Sequence, residues 1–190
     1  MSVIRDQRPG DAPAVQTLLA AAFAAEPEVQ GLEVALEQRS DSRGFVAELD
    51  GEVVGHVRLT RGWVDAPERL VTVLVLSPLS VAPARQREGI GSALVAHALK
   101  EAERNGAPAV FLEGDPAYYS RLGWRPAAEV GVTPPSVRIP EAACQVVTLR
   151  GFEPWMHGRL VYADTFWAHD CVGLRGAALR TATQRLQGST

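Results

Sequence analysis

Apolar positions along this chain alternate between two periods, and the switches mark its elements. Val3-Ile4-Arg5 reads as a short strand. Val15, Leu18, Leu19 and Ala22 then recur at helical spacing after Asp11, which the pattern makes a cap, with Pro13 tolerated in the first turn. Leu32, Ala35 and Leu36 predict a second helix over 29–39. Two strands, 44–49 and 52–59, flank Asp50-Gly51, a strong signal for a tight hairpin. The run from Leu70 to Leu76 is almost wholly apolar and β-branched, which predicts a buried central strand continuing past Pro78 through Leu79-Ser80-Val81. Leu94, Val95, Ala98, Leu99 and Ala102 give a helix from Gly89 that Asn105-Gly106 closes. Ala109 to Leu112 is the next strand, and 116–122 is a short helix. Strand, helix and strand over 71–112 make a βαβ unit, hence a parallel or mixed sheet flanked by helices in a single α/β domain spanning 1–190. Beyond Trp124, Pro126, Pro134, Pro135 and Pro140 loosen the pattern. Strands are expected at 145–149 and 158–162, and the extension 170–190 carries a terminal helix, read as solvated.

Composition narrows the class. A chain of 190 residues, 46% hydrophobic and 22% charged, can bury a core without disulfides or metals. Nineteen Lys and Arg against 22 Asp and Glu give a net charge of −3, which lacks the footprint of a general nucleic-acid binder. The apolar segment from Leu18 to Ala25 is too short to span a bilayer, and no targeting segment is visible, so the expected location is cytoplasmic, off the membrane. Cys144 and Cys171 lack metal-ligand spacing and the four histidines do not cluster, so no metal site is expected.

The candidate chemistry lies in Leu79-Ser80-Val81-Ala82-Pro83-Ala84-Arg85-Gln86-Arg87-Glu88-Gly89-Ile90-Gly91-Ser92. A buried strand runs into a loop, and the loop opens a helix with two glycines one residue apart. Gly89 and Gly91 permit close backbone approach, and free amides at a helix start form an anion site suited to phosphates. Arg85 and Arg87 add positive charge. Taken alone, Gly-x-Gly is equally a structural turn. ATP and dinucleotide loops are disfavoured: Gly-x-x-x-x-Gly-Lys-Ser/Thr is absent, and Leu94 stands where the dinucleotide fingerprint needs a third glycine.

Gln86-Arg87-Glu88-Gly89-Ile90-Gly91 resembles the Gln/Arg-x-x-Gly-x-Gly/Ala pyrophosphate loop of the GNAT superfamily of N-acetyltransferases. Asp115-Pro116-Ala117-Tyr118-Tyr119-Ser120-Arg121-Leu122-Gly123-Trp124 resembles that family's aromatic-Tyr-x-x-x-Gly-Phe element, with Trp124 in place of Phe. The resemblance runs from about Val3 to Leu149 and is similar to a bacterial branch carrying Gly-x-Pro-x-Tyr-Tyr. It implies a mixed central sheet with a splayed parallel strand pair, and acetyl-CoA as co-substrate. Gln86, Arg87, Glu88, Gly89, Ile90, Gly91 and Ser92 would hold the pyrophosphate, and main-chain groups of Leu79, Ser80 and Val81 the pantetheine arm. Tyr119 would be the general acid that protonates the departing thiolate, with Tyr118 a packing residue. The implied reaction is direct acetyl transfer to a primary amine on a small molecule or peptide. A non-catalytic CoA-binding module, or a transferase for another acyl-CoA, would keep the same loop. The resemblance also allows a homodimer through the C-terminal strands, for which no residue pattern speaks.

Other residues admit two readings. An ammonium acceptor must lose a proton before it attacks, and Glu113, ending a strand on the acceptor side, is the candidate base. The competing reading makes Glu113 a solvated strand-end charge and Asp115 a turn or cap residue before Pro116. Tyr118 and Tyr119 otherwise pack the short helix on the sheet. Arg58 and Arg61 either recognise an acidic acceptor or face solvent. Trp63, Trp155 and Trp167 are read as packing residues.

Overall fold

One meandering sheet organises the chain in the computed structural model, which describes residues 2–188. β1 (Val3–Asp6), β2 (Ser42–Leu49), β3 (Glu52–Asp65) and β4 (Leu70–Val81) follow one another antiparallel. β4 then lies parallel to β5 (Ala109–Glu113), so the sheet is mixed as expected. β6 (Arg125–Pro126) edges β8 (Cys144–Thr148), which is antiparallel to β5. β9 (Gly158–Val161) joins β3 at Trp63 to Asp65, past the point where β2 ends, and carries β7 (Val132–Thr133) on its outer side. The helices are α1 (Ala12–Ala22), α2 (Glu28–Glu37), α3 (Ile90–Arg104), α4 (Pro116–Tyr119), α5 (Asp164–Ala168) and α6 (Gly176–Gln187). Residue 1 and residues 189–190, where the extension read from the sequence ends, lie outside the described residues.

Local chemistry accounts for these elements with one exchange of partners. Asp50 and Gly51 both take positive φ, 52° and 85°, as a tight hairpin with the strands' twist requires. Asp11 does not cap α1: its carboxylate holds Arg5 at 2.7 Å and the Arg8 amide at 2.7 Å, because an arginine fork outbids a helix amide. Two cores result. On one face Val57, Leu59, Val110 and Leu112 pack on Leu94, Val95 and Ala98 of α3. On the other, Val71, Val73, Val75 and Phe111 meet Leu32 and Leu36 of α2 and Phe166 of α5.

A buried ion pair sits beneath α2. Arg58, 2% exposed, reaches Glu33, 1% exposed, through Nε at 2.8 Å and Nη2 at 2.6 Å. His56 Nε2 approaches the same carboxylate at 3.3 Å. Arg58 is therefore neither a solvent-facing nor an acceptor residue. Arg61 is spent on Asp41 at 2.7 Å.

Candidate active site

β4 and β5 share two register pairs, Leu74 with Val110 and Val75 with Phe111, and then part. Past that point β5 keeps to β8 through Leu112 and Glu113, while β4 keeps to β3. Between the pairs Leu59–Leu76 and Val57–Leu79, β4 holds one residue more than β3, a bulge at Ser77-Pro78. One extra residue reverses which face each later side chain meets. Leu79 and Val81 thereby join the core under α3. The Ala82 amide donates to the Val54 carbonyl at 2.9 Å, so the period of two turns the Ser80 main chain toward His56 of β3. Leu79 and Val81 consequently present their N–H and C=O groups to the gap. The Ser80 hydroxyl is buried without a hydrogen-bond partner among the described residues.

The loop after β4 ends at the start of α3. Gly89 sits at the N-cap with φ 83°, and Arg87 also adopts positive φ, 68°. No side chain caps this helix, and the amides of Arg87, Glu88, Gly89, Ile90, Gly91 and Ser92 receive no acceptor among the described residues. Left-handed residues beside a bare helix start gather these N–H groups into a concavity whose chemistry suits an anion. Gln86 lies in the same exposed loop, its amide nitrogen 3.5 Å from the Val81 carbonyl, and Arg85 leans toward Glu88 at 3.8 Å. Tyr118 does more than pack. Its hydroxyl lies 2.7 Å from where a Cβ on Gly91 would stand, so the absent side chain lets this phenol reach the head of α3.

Across the gap lies a cavity of about 640 Å³, bordered by Leu76–Leu79, Glu113–Pro116, Tyr119, Tyr162 and the Ala182 and Leu186 side of α6. Tyr119 stands between Gly114, whose missing side chain makes room for its ring, and Trp124, whose ring centroid is 5.8 Å away. Burial raises its phenol well above the ordinary value, so it stays protonated. Glu113 Oε2 accepts a hydrogen bond from the Gly173 amide at 3.0 Å. Burial pushes the Glu113 carboxyl up to about 7; the Gly173 amide opposes this and the Glu26 charge adds to it. Glu113 is thus not a solvated strand-end charge, whereas Asp115 is the expected cap, accepting from the Ala117 amide at 2.9 Å.

Several lining residues escape sequence reasoning. Tyr162 follows β9, and nothing local says that β9 returns to β3. The terminal helix α6 is not simply solvated, since it walls the cavity. Of the tryptophans, Trp63 and Trp155 pack on the core as expected, but Trp167 is 43% exposed beside Arg138. Among the described residues no helix is long and apolar enough to cross a membrane.

The Acetyltransferase (GNAT) family matches residues 12–124 of the chain. An uncharacterised N-acetyltransferase of Escherichia coli K12, YjhQ, is 30% identical over 137 residues, covering 69% of this chain and 74% of that one. Among solved structures, the GNAT family N-acetyltransferase YhbS from Escherichia coli, in complex with CoA, superposes with a TM-score of 0.77 at 28% identity, covering 87% of this chain and 91% of that one. A GNAT family acetyltransferase from Brucella melitensis, in complex with acetyl-CoA, gives 0.70 at 29% identity, covering 87% and 98%.

Proposed function

This chain belongs to the GNAT family of acetyltransferases, and we propose that it moves an acetyl group from acetyl-CoA to a primary amine by direct attack. The observation that carries this reading is the gap between β4 and β5, which joins a row of free amides to a buried acid and a buried phenol. Relatives of this fold bind CoA and acetyl-CoA, which favours the same donor here.

When bound, acetyl-CoA supplies an activated acetyl thioester. The amides of Arg87 to Ser92 bind the pyrophosphate, helped by the α3 dipole. Leu79 and Val81 offer the amide-bearing pantetheine arm an open strand edge. Glu113 takes the proton of the acceptor ammonium, a task suited to a carboxyl near neutrality. The freed lone pair forms the bond to the carbonyl carbon, the carbon–sulfur bond breaks, and the Tyr119 hydroxyl faces the departing sulfur. A phenol above pKa ~10 is a weaker acid than a thiol near ~8.5, so Tyr119 acts first as a hydrogen-bond donor to developing charge. Its proton passes fully to sulfur only because a thiolate in the same dry gap is also made more basic, and the second proton of the attacking nitrogen, lost as the amide forms, restores the Tyr119 hydroxyl. Most of the acceleration comes from alignment.

Calorimetric titration with acetyl-CoA, CoA and ATP tests the donor assignment. One-to-one binding of both CoA species without a response to ATP is expected, followed by transfer to amines. Absence of CoA binding overturns the reading. Binding without transfer to any amine makes the chain a CoA-binding module, and preference for succinyl-CoA makes it another acyltransferase.

A further inference from the structure

The cavity carries more negative charge than acetyl transfer requires. Five carboxylates border it, Glu26, Glu28, Glu113, Asp115 and Asp170, against one guanidinium, that of Arg185. Two of the five are committed elsewhere: Asp170 is held by Arg175, and Asp115 caps α4. Arg138 is near enough to Glu113 to oppose its protonation, but its guanidinium is anchored on the Val172 carbonyl at 3.1 Å. Glu113 therefore occupies the floor. Glu26 and Glu28 stand exposed at the rim, where the α1–α2 connection faces α6, and neither forms an ion pair among the described residues.

A second observation points to a ligand at the floor. Tyr162 is 4% exposed and lines the cavity, its ring 5.1 Å from that of Phe166. Its hydroxyl has no hydrogen-bond partner among the described residues. A phenol buried in the floor, with its hydroxyl open to the cavity and unpaired, offers a hydrogen bond to a bound molecule.

Building on the acetyl-transfer reading, we propose that the acceptor is an aliphatic amine bearing a second cationic centre, with its reacting nitrogen between Glu113 and the Tyr162 hydroxyl and its distal cation at Glu26 and Glu28. The reacting nitrogen must surrender its charge to Glu113 before it attacks. A neutral nitrogen gains nothing from carboxylates at the rim. Those carboxylates favour the transition state only if a positive charge persists elsewhere on the acceptor. They also repel an acceptor that ends in a carboxylate.

Three primary amines of matched length test this at saturating acetyl-CoA: aminobutyl-trimethylammonium, its neutral isostere with carbon in place of the quaternary nitrogen, and γ-aminobutyrate. Each has one reactive nitrogen. The cationic acceptor should exceed the neutral one in kcat/KM by roughly tenfold, with the anionic one lowest, and the preference should shrink with added salt. Glu26→Gln/Glu28→Gln should reduce the preference to about threefold or less while the Kd for acetyl-CoA and the melting temperature stay unchanged. Tyr162→Phe should raise KM for the cationic and neutral amines alike. Equal use of these two amines, no turnover of any of the three, or a preference that survives the double substitution overturns the proposal when acetyl-CoA still binds. Loss of acetyl-CoA binding in the unaltered protein overturns the acetyl-transfer reading instead.

Discussion

Val75 and Phe111 are the last partners that β4 and β5 share before the two strands diverge. Both side chains are fully buried in the core on the α2 face, so the fork is pinned from below and opens only toward the site. Everything assigned to chemistry lies just past this pair: the outward main chain of Leu79 and Val81 on one branch, Glu113 on the other, and Tyr119 one turn beyond.

Because burial pushes Glu113 to about 7, kcat/KM should rise with pH through that value and level off above it. Glu113→Gln should abolish this limb and lower the rate by about 10² to 10⁴. Stability should move the opposite way. A carboxyl whose pKa is raised by folding lends stability that is full below its unfolded pKa and is lost as pH rises through about 7. Glu113→Gln should therefore melt higher than the parent at pH about 8, which calorimetric scans at two pH values check.

Tyr119→Phe removes the donor and keeps the ring that packs between Gly114 and Trp124. We expect kcat to fall by about 10² or more with the Kd for acetyl-CoA and the melting temperature nearly unchanged. An unaffected rate would remove Tyr119 from the mechanism.

Gly91→Ala places a methyl group 2.7 Å from the present position of the Tyr118 hydroxyl, so the phenol must move at the head of α3. Affinity for acetyl-CoA should drop by roughly tenfold, while thermal stability holds or rises because alanine is the better helix former. Adding Tyr118→Phe relieves the contact and should restore part of the affinity, read by the same titration.

Arg58→Met strands the buried Glu33 carboxylate and should cost about 3 to 5 kcal/mol of stability. Arg58→Met/Glu33→Gln should cost less than the two single changes summed, a coupling that denaturant unfolding measures. Burial opposes the Glu33 charge, but hydrogen bonds from His56 and Arg58 hold its pKa below the usual range. Its contribution to stability is therefore present above the unfolded pKa of ~4.3 and is lost as pH falls through the lower folded value.

Periodicity and short-range chemistry were sufficient for the hairpin at Asp50-Gly51, the central strand from Leu70, helix α3 and the glycines at its start, since each is specified within a few residues. The bare amides at the start of α3 are legible for the same reason, because a helix N-terminus needs no distant partner to leave them open. Residues whose role depends on what the chain brings back from far away were not legible. Arg58 reads from sequence as an acceptor-recognising or a solvent-facing residue, and only Glu33 of α2, closing over it, decides against both. Glu113 reads from sequence as a base or as a solvated strand-end charge, and only the Gly173 segment, which returns to bond it, decides against the solvated charge. The terminal helix showed an amphipathic stripe but nothing of the cavity it walls. Sequence by itself determined the hairpin, the βαβ unit and the glycine-opened start of α3, all matters of local backbone preference. Tertiary structure alone decided which carboxyl is dry, which phenol faces the gap and how much negative charge gathers at the mouth, because desolvation and Coulomb fields are set by neighbours in space.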